Sequence, residues 1–171
     1  MQIYNRKSTR LAGFDYSTPG AYFLTLCVKG HKQILSKIIV GDGVLDVPEN
    51  QFTDYGKIAN EHLEKMVDFY DNIKIDKYVV MPNHVHMIIS VLDGEKNEVS
   101  EGPSGMPVPT NSLVANFVGT FKRLCNRQYG KNIWQRSYHD HIIRDKNDYE
   151  KIWNYIDTNV IRWKNDCFYN E

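Results

Sequence analysis

The chain has 171 residues, 42% of them hydrophobic and 25% charged, with 21 basic and 21 acidic side chains. That length supports one domain spanning residues 1–171 with a core that needs no staple, and the composition is that of a soluble globular protein. No stretch reaches the ~18 apolar residues of a membrane span, and MQIYNRKSTRLAG has no apolar run after its basic residues, which argues against a secretory signal and points to the cytoplasm.

In chain order, Ala21–Val28 is rich in aromatic and β-branched residues and reads as a buried strand. Residues 34–47 hold Gly41-Asp42-Gly43 between two apolar runs, a short hairpin or bent extension. From Thr53 the period becomes helical: Tyr55, Ile58, Ala59, His62, Leu63, Met66 and Tyr70 recur on one face, with Thr53 or Asp54 as N-cap. Ile73–Val80 is again a strand, and Pro82-Asn83 turns the chain into another at 84–92. Residues 93–111 carry Gly94, Gly102, Pro103, Gly105, Pro107 and Pro109 without hydrophobic periodicity, so a flexible surface loop is expected there. A second amphipathic helix starts at Asn111 or Ser112 and presents Leu113, Val114, Phe117, Val118, Phe121, Leu124 and Cys125. Trp134–Arg144 reads as a strand, and a last helix runs from about Asn147 to Trp163.

The main elements follow the order β–α–β–β–α–β–α. This predicts an α+β fold with a ferredoxin-like (split βαβ) antiparallel sheet, helices on one face and an added C-terminal helix. Cys27, Cys125 and Cys167 are odd in number, far apart and without a C-x-x-C, as expected of reduced thiols rather than a disulfide scaffold or cysteine zinc site.

His84-Val85-His86 lies inside the apolar run Met81–Ile89. Side chains at i and i+2 of a strand leave one face, so the two imidazoles are neighbours. Buried, each ring nitrogen needs a partner, and a shared metal ion satisfies both; facing water on an edge strand, neither needs one. In the last helix Tyr149, Ile152, Trp153, Ile156, Val160 and Trp163 cluster within roughly 100° of arc as a core-facing stripe. Tyr155 lies off that stripe with Asn159 on the same flank, free to meet the histidine strand or simply to sit at the surface. A second H-x-H, His139-Asp140-His141, offers either a four-histidine site, a supporting shell for the first pair, or local hydrogen bonds. His31 and His62 are isolated and read as structural.

Charge is neutral overall but segregated: residues 1–40 carry a net +5, 41–76 a net −6, and 102–139 hold Lys122, Arg123, Arg127, Lys131 and Arg136 with no acidic residue. A neutral domain can thus present a basic face to phosphates.

Three stretches together resemble the single-tyrosine HUH transposases, in particular the REP-associated tyrosine transposases: Val80-Met81-Pro82-Asn83-His84-Val85-His86, Trp134-Gln135-Arg136-Ser137-Tyr138-His139-Asp140-His141-Ile142-Ile143-Arg144, and Tyr155-Ile156-x-x-Asn159. Trp163 and Asp166 fit the usual ending of the group. The chain has Asn159-Val160 where the family usually has Asn-Pro, which bears on the local path toward Trp163.

The resemblance implies metal-dependent cleavage and rejoining of single-stranded DNA at hairpin-associated sites. It makes Tyr155 the nucleophile, through a 5′-phosphotyrosine, with His84, His86 and Asn159 as metal ligands and His139, Asp140 and His141 as a possible supporting shell. Imidazoles alone suit zinc, copper or nickel; the family implies Mg²⁺ or Mn²⁺. Arg123, Arg127, Lys122 and Lys131, with Arg136 and the N-terminal Arg6, Lys7 and Arg10, are the expected DNA contacts. A nucleoid-associated monomer with a self-contained site is expected, with a homodimer as the alternative. Two other functions stay open: a hairpin-binding regulator that no longer cuts, and a hydrolase using all four histidines of the two H-x-H pairs.

Overall fold

A computed structural model describes residues 14–40, 47–93 and 112–169 of the chain. The expected loop at 93–111, the Gly41-Asp42-Gly43 turn and the N-terminal Arg6, Lys7 and Arg10 lie outside these residues, apart from Asp93.

The strands are β1 (Gly20–Cys27), β2 (Ser36–Ile39), β3 (Glu49–Phe52), β4 (Ile73–Val80), β5 (His84–Val91) and β6 (His139–Ile143); the helices are α1 (Asp54–Lys65), α2 (Leu113–Tyr129) and α3 (Lys146–Thr158). Four strands form one sheet in the order β4-β5-β1-β6, every neighbouring pair antiparallel, and β2 pairs with β3 as a separate ribbon. With α1 between β1 and β4, and α2 between β5 and β6, this is the ferredoxin-like arrangement.

Local chemistry sets the boundaries. Thr53 caps α1, its hydroxyl accepting from the Gly56 N–H at 3.2 Å. Gly56 has to be glycine because a Cβ there would collide with the Leu35 carbonyl oxygen, where the β2–β3 ribbon crosses the helix start. The helical pattern that runs on to Tyr70 ends as a 3-10 turn, Met66–Phe69. Ser112 caps α2 by accepting from Ala115 N–H, and Gly130 closes it at φ 68°, a left-handed C-terminal position that costs glycine nothing.

Alternation along the strands divides the sheet into two faces. Tyr22, Leu24 and Leu26 of β1 and Val85, Met87, Ile89 and Val91 of β5 join Ala59 and Leu63 of α1 and Val114, Phe117, Val118 and Phe121 of α2 in the main core. Each such buried large side chain is worth about 1.5–3 kcal/mol of transfer free energy. The other face carries Phe23, Thr25 and Cys27 opposite Ile88, His86 and His84 in register. Helix α3 covers this second face, so α1 and α2 share one side, as expected, and the added helix takes the other.

Two expectations are corrected. Trp134–Arg144 is not one strand: only His139–Ile143 pairs with β1, while Trp134 makes a lone bridge to Val28. The Lys122 ammonium takes the carbonyl oxygens of Gln135 and Ser137 at 2.9 and 2.8 Å, holding the intervening chain toward α2. The last helix stops at Thr158 rather than reaching Trp163, which sits in a 3-10 turn, Trp163–Asn165. Its buried side is also rotated from the expected stripe. Ile156 and Asn159 are buried, whereas Tyr149 and Trp153 stack half-buried on one flank with the Lys77 ammonium 4.3 Å from the Trp153 ring centre.

Candidate active site

His84 and His86 are 0% and 1% exposed, on a strand flanked on both sides by paired strands. Burial of two imidazoles is tolerable only because each Nδ1 is partnered. Nδ1 of His84 lies 2.8 Å from Asn83 Oδ1, and Nδ1 of His86 lies 2.8 Å from Thr25 Oγ1. The Asn83 amide nitrogen donates to the carbonyl oxygens of His31 and Phe168, at 3.2 and 2.7 Å. Carbonyls only accept, so the amide orientation is fixed and Asn83 Oδ1 must accept from His84 Nδ1–H. The Nε2 lone pair of His84 therefore points into the site, buried and without a hydrogen-bond partner.

Helix α3 and the turn after it bring three more groups to the same place. The Tyr155 hydroxyl lies 3.2 Å from His86 Nε2 and donates to Asp166 Oδ2 at 3.0 Å. The Asn159 amide donates to the same carboxylate oxygen at 2.9 Å, and its own Oδ1 is buried with no hydrogen-bond partner. Asp166 Oδ2 is 4.0 Å from His86 Nε2 and its side chain is 1% exposed. The other oxygen, Oδ1, accepts from the Phe168 N–H at 2.7 Å, which shapes the turn. The Phe168 ring then packs 4.8 Å from that of His84.

Electrostatically the cluster is an anion wrapped in neutral donors. Burial pushes both imidazoles well below the ordinary histidine range, and for His84 the adjacent His86 adds to it; both rings are therefore neutral, the form that ligates metals. Burial alone would raise Asp166, but the nearby His86 imidazole, the Phe168 N–H and the Asn159 amide outweigh it and hold the carboxyl ionised. Burial and the Asp166 carboxylate together push the Tyr155 phenol above its usual range.

One ligand atom from each of His84, His86 and Asp166 lies within 4.8 Å of the others. His84 and Asn159 each also carry a buried acceptor without a hydrogen-bond partner, Nε2 and Oδ1, and the Asn159 amide is bonded to the Asp166 carboxylate. These residues fit a divalent cation. Asp166 was missing from the ligands inferred from sequence; its place in the family-like ending was its one signal, and that signal carries no chemistry by itself.

The other expected site residues lie elsewhere. Lys122 is 8% exposed with its ammonium committed to two carbonyls, so it is an internal tether and not a phosphate contact. Arg123, Arg127 and Lys131 are exposed, but α2 packs on the sheet face opposite the histidines, and Lys131 lies 4.9 Å over the Tyr55 ring. Arg136 is exposed ahead of the edge strand β6. His141 meets Asp148 at 2.8 Å, and Asp140 is in register with Leu24, which puts it on the α1–α2 side of the sheet. The His139 ring lies 6.2 Å from the Phe168 ring. Among the described residues, His139 and His141 do not join the first pair in a metal-ligating group. A groove of about 550 Å³ lined by Lys146, Tyr149, Glu150, Trp153 and Asn154 lies on the outer side of α3 and contains none of the cluster.

No family model matches the chain. An uncharacterised protein of Haemophilus influenzae is 31% identical over 182 residues, covering 98% of this chain and 94% of that one. A candidate REP-associated tyrosine transposase of the same organism is 24% identical over 157 residues, covering 86% of this chain and 74% of its own length. The fold is similar to that of a REP-associated tyrosine transposase solved with a REP hairpin, at a TM-score of 0.59 and 21% identity over 95% of this chain and 74% of that one. The resemblance read from the sequence is thus met by a candidate REP-associated tyrosine transposase among the sequence relatives and by the fold of a solved one.

Proposed function

We propose that this protein is a divalent-metal-dependent single-stranded DNA endonuclease and strand transferase of the single-tyrosine HUH type, acting at hairpin-associated sites. Similarity in sequence and fold to REP-associated tyrosine transposases supports the broader role, transposase-like DNA processing. The observation that carries the finer reading is the Tyr155 hydroxyl 3.2 Å from His86 Nε2, inside a cluster with His84, Asn159 and Asp166.

In this reading Tyr155 Oη forms a bond to the scissile phosphorus as the bond to the 3′ oxygen breaks. A 5′-phosphotyrosine and a free 3′-hydroxyl result, the phenolic proton having been lost and one gained by the leaving oxygen. The phosphodiester energy is kept, so another 3′-hydroxyl can reverse the step and rejoin DNA. A divalent cation held by His84, His86, Asp166 and Asn159 Oδ1 would polarise the scissile phosphate as a Lewis acid. A carboxylate and an amide oxygen beside two imidazoles suit Mn²⁺ or Mg²⁺ better than imidazoles alone. Tyr155 reaches the histidines of its own chain, which supports a self-contained, monomeric site. Arg136, exposed ahead of the edge strand, and Arg123, Arg127 and Lys131, exposed on the other layer, would hold duplex or flanking strand; contacts of this kind position DNA without reading sequence. Arg6, Lys7 and Arg10 remain candidates for the same role.

The test is incubation with labelled hairpin-bearing single-stranded DNA and Mn²⁺, followed by denaturing electrophoresis. A covalent protein–DNA adduct is expected, and Tyr155→Phe should abolish it while DNA binding persists. An adduct of undiminished yield in that variant would overturn the assignment of the nucleophile. Binding without any adduct would replace the proposal with a non-cutting hairpin-binding regulator.

A further inference from the structure

A carboxylate oxygen has two lone pairs, and Asp166 Oδ2 already accepts two hydrogen bonds, from Tyr155 at 3.0 Å and from Asn159 at 2.9 Å. Asp166 Oδ1 is engaged by the Phe168 N–H at 2.7 Å and faces the turn. Oδ2 is the oxygen 4.0 Å from His86 Nε2. It is thus both the atom a cation at the histidine pair would take and an atom with no lone pair to spare. One donor has to leave.

The two donors differ in how firmly they are held. Asn159 is 2% exposed at the end of α3, and its amide nitrogen has this carboxylate as partner while its oxygen is buried without a hydrogen-bond partner. Tyr155 is 37% exposed, packs its ring edge-on against Phe23 and sits at the open side of the cluster. Swinging the phenol out exposes a hydroxyl to water, whereas displacing the amide strands a buried donor, the costlier loss.

We infer that cation binding and release of the Tyr155 hydroxyl are a single exchange on Asp166 Oδ2. Without a divalent cation, Asp166 parks the phenol as a hydrogen-bond donor. With one bound, the phenol is freed for phosphate. Asp166 is in this sense a positioning residue that makes the nucleophile available only when the metal site is filled. The inference rests on the divalent-cation reading of the site, not on DNA cleavage.

The experiment measures Mn²⁺ affinity by electron paramagnetic resonance of the free ion, in the absence of DNA, for wild type, Tyr155→Phe and Asp166→Asn. Removing the competing donor should tighten Mn²⁺ binding in Tyr155→Phe by roughly three- to tenfold, the scale of one hydrogen bond. Asp166→Asn keeps an acceptor for the Phe168 N–H but lacks the charge, and should weaken binding by at least about tenfold. Unchanged or weaker affinity in Tyr155→Phe overturns the exchange, and wild-type affinity in Asp166→Asn overturns the role of the carboxylate. Should Asp166→Asn fail to fold, Tyr155→Phe decides alone. A protein showing this affinity pattern but forming no DNA adduct would refute the cleavage reading and leave the exchange standing; an adduct-forming protein without the pattern would do the reverse.

Discussion

The side-chain amide of Asn83 decides which nitrogen of His84 is available. Its nitrogen serves the carbonyls of His31 and Phe168, and its oxygen takes the Nδ1 proton, so Nε2 is left as the nitrogen that could ligate a cation. Groups behind a metal ligand typically contribute 10- to 100-fold in affinity. Asn83→Ala is expected to lower Mn²⁺ affinity by about that factor with the circular dichroism spectrum retained; wild-type affinity would show that the ring is held by packing alone. In the sequence Asn83 reads only as a turn residue before a strand. Its second task is invisible there because both of its acceptors are backbone carbonyls, one of them Phe168, that only folding brings near. The histidines and Tyr155 were legible, since i, i+2 spacing on a strand and an off-stripe position on a helix are local properties. Asp166 was not, because its chemistry depends on a turn closing onto a distant strand.

At the level of elements, the same distinction separates what α2 announced from what it concealed. Its apolar stripe and its serine cap are written in local spacing, and both are found. Lys122 falls on the cationic side of that pattern, yet it is buried beneath residues 135–138, which no periodicity places there. Replacing it by Met keeps the apolar stem and leaves the Gln135 and Ser137 carbonyls without their donor. Lys122→Met is expected to cost about 1–3 kcal/mol in urea unfolding. Arg123→Ala and Arg127→Ala, both exposed, should stay within about 0.5 kcal/mol of wild type. Equal effects at the three positions would count against the tether. Helix α3 shows the converse failure: its apolar residues run past Thr158, but the chain leaves the helix there so that Asn159 and Asp166 can meet.

For the molecule as a whole, element order was enough to anticipate the ferredoxin-like sheet, since strand and helix periods are distinct and the split βαβ pattern leaves few ways to close. Which face α3 would take was not, because a helix that follows the last strand can pack on either side. The cores of the two layers also hold thiols. Burial pushes Cys27 up to about 11 and Cys125 to about 12, against an ordinary value of 9.0. A raised thiol keeps its proton in the folded state while the unfolded chain loses it, so stability is flat below about pH 9 and falls above it. For Cys125, fully buried, the slope should approach 1.4 kcal/mol per pH unit at most, up to about pH 12. Urea midpoints measured from pH 7 to 10.5 should show this decline, and Cys125→Ala should be less steep; identical slopes would assign the alkaline loss to other groups.

The carboxylate that completes the cluster comes from the turn after α3, while the imidazoles it meets were laid down in β5, before α2 and β6 had been made. During synthesis, then, all four strands of the sheet are made before the residue that completes the cluster. Under the proposed function, competence would arrive in one late docking event, and a truncated or stalled product would be a harmless scaffold rather than an unguarded nuclease.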